Sequence, residues 1–220
     1  MKKRMAGIAA SALALCSLLV TGCSILAPQP DASRFFVLAP LPNTETQESG
    51  SESLPLPNAI LGIGPIRLPP YLDRNEIAVR VSPTQVTYST TDRWAEPLAV
   101  NMKRVLLQNL SQLLGTNQIV IYPWSNALEV TYQIRIELLS FEATKSGEVQ
   151  LAARYTILHG SERQPLVVRE VNFSRPAAAD TAAEVGALSA TLGDLSRDIA
   201  ATLRQLPKPQ ATPAARRNKS

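Results

Sequence analysis

The sequence predicts an α+β domain, a largely antiparallel (mixed) β-sheet with two long helices packed on one face. Three observations carry this. Residues 130–138 and 149–157 alternate apolar and polar with period two, the mark of half-solvated antiparallel strands. Two separate stretches, 93–114 and 180–203, carry leucine-rich stripes at three- and four-residue spacing. The connections within the 130–173 region are short and turn-like, which gives a meander rather than crossovers.

Before the domain stands an export signal. Lys2, Lys3 and Arg4 precede an apolar core over 5–20, which is shorter than the roughly 20 residues needed to span a bilayer. The exit reads Val20-Thr21-Gly22-Cys23, a branched apolar residue and two small ones before a cysteine, and it resembles a bacterial lipobox. That resemblance implies cleavage between Gly22 and Cys23, diacylglyceryl and acyl groups on Cys23, and a signal peptide over 1–22. Of the two cysteines only Cys23 outlasts that cleavage, so no internal disulfide can form and acylation accounts for a lone thiol in an exported chain. Ser24, in place of aspartate, points by the sorting pattern of such lipoproteins to the outer membrane, with the domain facing the periplasm. Residues 23–33 then read as a tether.

The domain is expected over 34–206. Residues 34–38, with Phe35, Phe36 and Val37, form a first short strand. Residues 40–58 are a polar, acidic segment read as a flexible loop. A second strand spans 59–66, where Gly62, Gly64 and Pro65 predict an edge position or a bulge. Pro69-Pro70 turn the chain into Tyr71, and strands over 77–81 and 85–89 flank Ser82-Pro83 as a hairpin. The first helix is expected between about Arg93 and Leu114, starting just before Pro97 and stopped by Gly115. A short strand over 119–122 ends at Pro123-Trp124. The meander follows, with its third strand over 166–173, and Pro176 ends the sheet. The alanine-rich second helix occupies 180–203. Pro207, Pro209 and Pro213 close it, and 207–220 reads as a disordered basic tail.

Composition excludes several functions. The chain has 220 residues with 22 Lys+Arg against 18 Asp+Glu, yet three of the basic residues fall in the signal and five in the last 17 positions. The body is therefore acidic on balance, and with aromatics at 5% it offers nucleic acid neither a basic face nor a stacking platform. One histidine and two cysteines are too few for a zinc or iron–sulfur site, and no cofactor is expected. Gly62-Ile63-Gly64 runs into Pro65 rather than a helix, so it is no phosphate cradle. There is no G-x-S-x-G elbow, and His159 beside Gly160 reads as a turn residue. No catalytic residue or metal ligand emerges, and the chain is not expected to be an enzyme.

The aromatic motifs are the remaining candidates. Trp94, inside Asp92-Arg93-Trp94-Ala95-Glu96-Pro97, either packs on the sheet or anchors an interface with Arg93. Tyr71 and Trp124, both beside prolines at strand ends, carry the same two readings. Leu61 to Pro69, Tyr71-Leu72-Asp73-Arg74, Arg93 to Leu98, Asn109-Leu110, Tyr122-Pro123-Trp124, Phe141-Glu142 and Val149 to Ala153, in this order after a lipobox, resemble the ABC-type transport auxiliary lipoproteins. The resemblance covers roughly 23–205, and one departure is Tyr155, where that family is expected to favour tryptophan. It implies a non-catalytic subunit of an MCE/ABC-type intermembrane lipid transport system. Its partners would be an MCE-domain protein and, through Cys23, outer-membrane lipid, and identical copies would form a ring. The contact residues expected on it are Tyr71, Arg93, Trp94 and Trp124. An alternative is a periplasmic lipid carrier with an apolar groove between helices and sheet, and a second is a hydrolase with an unrecognised carboxylate pair.

Overall fold

The computed structural model describes residues 32–42, 59–125, 127–160 and 164–206. The signal peptide, Cys23, most of the tether, most of the acidic loop and the basic tail lie outside the described residues. The elements run β1 (Arg34–Phe36), β2 (Leu61–Arg67), β3 (Glu76–Ser82), β4 (Gln85–Trp94), α1 (Leu98–Leu114), β5 (Ile119–Ile121), β6 (Tyr132–Thr144), β7 (Glu148–His159), β8 (Pro165–Pro176) and α2 (Thr181–Arg204). Both helices pack on the sheet and on each other, α1 against β2 and β5, and α2 against β6, β7 and β8.

The eight strands make one mixed sheet in the order β1-β4-β3-β6-β2-β5, with β7 and β8 branching from β6. Its long ladders are antiparallel: the β3–β4 hairpin and the β6–β7–β8 meander. The pairs β1–β4, β2–β5, β2–β6 and β3–β6 are parallel. Strand β6 organises all of this. One edge pairs with β7 along its length, while the other takes β2 over Tyr132 to Glu137 and then β3 at Ala143 and Thr144. A register shift between Leu138 and Ser140 turns β6 between these two partners.

Two expectations need correction. Strand β2 is not an edge: it lies between β5 and β6. The bulge is present, as a register shift between Ile63 and Ile66 that spans the cis Gly64-Pro65 bond. Gly64 takes φ 109° there, and the shift places the residue without an N–H where the ladder is already broken. The first helix begins at Leu98 rather than near Arg93, because Asp92, Arg93 and Trp94 complete β4. They pair in parallel with Arg34, Phe35 and Phe36, and the Trp94 N–H donates to the Asn75 carbonyl at 2.7 Å. Pro97 then serves as the cap, its carbonyl accepting from Val100 and Asn101.

The two leucine stripes close on the core. Leu106 and Leu110 of α1, and Leu192, Leu195 and Ile199 of α2, are fully buried with Ile63, Ile134 and Ile157 of the sheet. Gly115 at φ 62° ends α1, and the Asp180 carboxylate caps α2 by accepting from the Ala182 and Ala183 N–H groups. One buried amide joins the layers: Asn109 accepts from the Leu41 N–H at 2.8 Å and donates to Ser196 at 3.0 Å. Tyr155 is also a core residue. Its hydroxyl bonds Asp198 at 2.5 Å and Thr202 at 2.7 Å, and burial pushes it up to about 12. A tryptophan would fill similar space without those bonds.

Candidate functional site

A groove of about 910 Å³ crosses the sheet face turned away from the helices. The alternation of β6 builds its floor. With Ile134 and Ile136 turned into the core, Gln133, Arg135 and Glu137 point outward. Arg67 of β2 and Arg154 and Thr156 of β7 lie beside them, and Tyr122, Trp124 and His159 line one end. The Tyr122 and Trp124 rings meet edge to face with centroids 5.5 Å apart. Tyr122 is 43% exposed, so this aromatic pair is open to a binding partner.

Backbone shape seats the pair. A methyl group on Gly62 would lie 2.5 Å from the Trp124 ring edge and 2.9 Å from Val130. Glycine is therefore required for the indole to lie on β2. Gly62→Ala is expected to displace Trp124 and destabilise the fold by about 1–3 kcal/mol through overpacking. A red-shifted, more quenchable tryptophan emission alongside the lowered melting temperature would report it, and an unchanged spectrum would refute the seating.

The charges of the groove are mixed. Arg154 bonds Glu170 at 2.9 Å and lies 4.0 Å from Glu137, while Arg135 donates to Gln133 at 3.4 Å. Gln133, nearly buried, turns its own amide to the Gly64 carbonyl at 2.9 Å and so ties the floor to the β2 bulge. The arginines project from a strand surface into solvent, beside aromatic rings. Such a surface suits a polypeptide with acidic and apolar side chains. Among the described residues no group of three or more His, Cys, Asp or Glu side chains could hold a metal ion.

The predicted contact residues fall in different places. Gly22 and Cys23 lie outside the described residues. Trp124 is in the groove. Trp94 is 5% exposed and belongs to the core, which leaves no open face for a partner there. Arg93 stays on the surface at the end of β4, beside Phe35 and 3.9 Å from Glu76. Tyr71 is half-buried, and its hydroxyl donates to Glu142 at 2.9 Å and accepts from Arg80 at 3.1 Å. Burial, and then the negative charge of Glu142, push that hydroxyl up to about 12. Tyr71 and Arg93 are linked through Tyr88, Arg74 and Glu76: the Tyr88 hydroxyl donates to the Tyr71 carbonyl, Arg74 lies 4.5 Å over the Tyr88 ring, and Glu76 meets both arginines.

Sequence reasoning missed Arg67, Arg135 and Tyr122. The outward alternation of β6 marked Arg135 as exposed, but only the fold shows that Arg67 and Tyr122 are its neighbours. It also missed Glu142, whose side chain is fully buried and bonded to Arg80 at 2.6 Å.

A family model described as ABC-type transport auxiliary lipoprotein component matches residues 36–200. A search of curated proteins finds no match. Among solved structures, an uncharacterized protein superposes with a TM-score of 0.63 at 18% identity, covering 78% of this chain and 98% of that one. Protein XCC0632 from Xanthomonas campestris superposes with a TM-score of 0.62 at 17% identity, covering 78% and 95%. At these identities the likeness speaks for the fold alone.

Proposed function

The chain belongs to the ABC-type transport auxiliary lipoprotein component family, and from that premise we propose that it is the docking subunit of an MCE/ABC-type intermembrane lipid transport system. On this reading Cys23 carries the acyl anchor, Ser24 directs the protein to the outer membrane, and the domain faces the periplasm. It performs no catalysis. It receives the end of an MCE assembly, as one of a ring of identical copies, and so supports the integrity of the envelope.

The observation that carries this reading is the groove. It presents aromatic rings and arginines on the outer face of the sheet, where a protein partner can reach them. The alternative of a lipid carrier calls for an apolar cavity between helices and sheet. That space is filled instead by Met102, Leu106, Leu110, Leu192 and Leu195, each with no exposed area. Packing therefore favours docking over carriage. Trp124 meets the partner directly and Arg93 offers a second surface. Trp94 and Tyr71 act through the strand ends that they hold in place.

The test is a pull-down of the acylated protein from its own envelope, followed by mass spectrometry of proteins and lipids. Recovery of an MCE-domain protein in stoichiometric amount, with no lipid beyond the anchor, is the expected result. The doubly substituted Arg67→Glu/Arg135→Glu protein should keep its melting temperature, because both residues are exposed, and lose at least about tenfold in affinity, the cost of one lost hot-spot contact. Unchanged recovery with that variant would refute the groove as the docking site. Phospholipid retained by Cys23→Ala protein without an MCE partner would favour the carrier.

A further inference from the structure

The extended segment from β1 to Leu38 is two-sided. Phe36 packs against the core and Leu38 is 1% exposed, so the alternate side chains, Phe35 and Val37, turn outward. Phe35 is 64% exposed and Val37 51%. Phe35 stands beside Arg93 in register, and Arg74 and Arg93 share Glu76 as their acidic neighbour. Two outward apolar side chains, Phe35 with an arginine beside it, make the amphipathic pattern of a surface that enters a lipid interface.

The strand that presents them is fastened. Arg34 forms a two-pronged ion pair with Asp92, the Ala39 N–H donates to Ser189, and the Leu41 N–H donates to Asn109. Fixed apolar side chains at a surface call for an occupant. The chain length supplies one. Phe35 follows Cys23 by 12 positions, which reach at most about 43 Å when fully extended. A domain of this size has a radius of gyration of about 15 Å. An anchor at Cys23 therefore keeps the start of β1 within about 43 Å of the bilayer, which lets the β1 edge reach the headgroups.

We propose that Phe35 and Val37 form a membrane-contact patch, which rests in the headgroup and upper acyl region of the bilayer carrying the Cys23 anchor. The inference rests on the lipoprotein reading. It adds to it an orientation: the β1 edge faces lipid, and the domain is seated on the membrane rather than hanging free from its anchor.

The chain itself provides the probe. On the lipoprotein reading the signal is removed and the thiol of Cys23, the one cysteine beyond it, is acylated, so Val37→Cys introduces the sole free thiol. The full-length acylated variant is spin-labelled, reconstituted into vesicles of phosphatidylethanolamine and phosphatidylglycerol, and collected by flotation. Electron paramagnetic resonance then compares collisions with oxygen and with a water-soluble nickel chelate. A label at 37 is expected to gain oxygen collisions and lose nickel collisions severalfold on binding vesicles. A label at Thr156→Cys, in the groove, should remain aqueous, and Phe35→Asp should return the label at 37 towards water. If the protein floats but the label at 37 stays aqueous, the patch is refuted while the anchor stands. Shielding from both reagents that rises with protein density would assign the patch to a second copy and refute lipid contact. Failure to float would refute the anchor, and the patch with it.

Discussion

Replacing Arg80 with alanine is expected to destabilise the domain by about 3–5 kcal/mol, the usual cost of breaking a buried ion pair from one side. The Glu142 side chain has no exposed area, whereas Arg80 is 25% exposed. Removing the arginine therefore strands a carboxylate that still accepts from Tyr71 and from the Phe141 N–H, at 2.9 and 2.7 Å, but has no cation. The location magnifies the effect. Strand β3 meets β6 at only two register positions, Val79↔Ala143 and Arg80↔Thr144, with one further bond from the Lys145 N–H to the Arg80 carbonyl. Through that seam the β1–β4–β3 wing joins the rest of the sheet. Hydrogen exchange of Arg80→Ala should show β3 and β4 losing protection before β6 and β7. A double-mutant cycle decides the cause. Arg80→Ala/Glu142→Ala should cost no more than Arg80→Ala alone, since it removes the stranded charge. Additive losses would show that the pair does not act as a unit.

The legible and illegible parts of this molecule divide by distance along the chain. The α2 stripe from Val185 to Leu203 and the β6–β7 alternation repeat locally, so both were readable from neighbours three, four or two residues apart. The start of α1 was misread for a related reason. Trp94, Leu98 and Met102 sit at four-residue spacing, and this extends the helical stripe one turn too far. The decision belongs to Phe36 and Asn75, which hold Trp94 in a strand. The interior place of β2 depends on β5 and β6, which follow it by more than 50 residues, and no local pattern encodes such parallel pairing. The same holds for the charges. Glu142 reads as one more acid in an alternating strand, because Arg80 and Tyr71 are 62 and 71 positions away. Of the groove, Trp124 was visible as an isolated aromatic. Its setting against Gly62 and beside Tyr122 is a property of the folded sheet.

Substituting Asp92 should loosen the N-terminal edge of the domain and remove an acid-sensitive contribution to its stability. The Asp92 carboxylate accepts from Arg34 Nε and Nη2 at 2.7 and 2.9 Å and from the Thr181 hydroxyl at 2.6 Å. It thus ties β1 to β4 and to the first residue of α2. The Arg34 guanidinium, aided by Thr181, holds this carboxyl at about 2, below its ordinary 3.8. A carboxyl depressed in the folded state stabilises it above the unfolded pKa, so the contribution is complete above about pH 4 and is lost as pH falls towards 2. Asp92→Ala is expected to cost about 2–3 kcal/mol at neutral pH, in the range of hydrogen bonds to a charged group. Melting temperatures of wild type and Asp92→Asn should differ most near neutrality and converge near pH 2. An equally steep acid limb in Asp92→Asn would place the acid sensitivity elsewhere. The Ala95 amide, which donates to the Phe36 carbonyl at 2.9 Å, should exchange faster in either variant as β1 frays. Under the proposed anchoring at Cys23, a pull from the membrane would enter the fold through β1 and meet this clasp first. Under the proposed membrane contact, an acylated Asp92→Ala protein should still float with vesicles while a label at position 37 loses that contact.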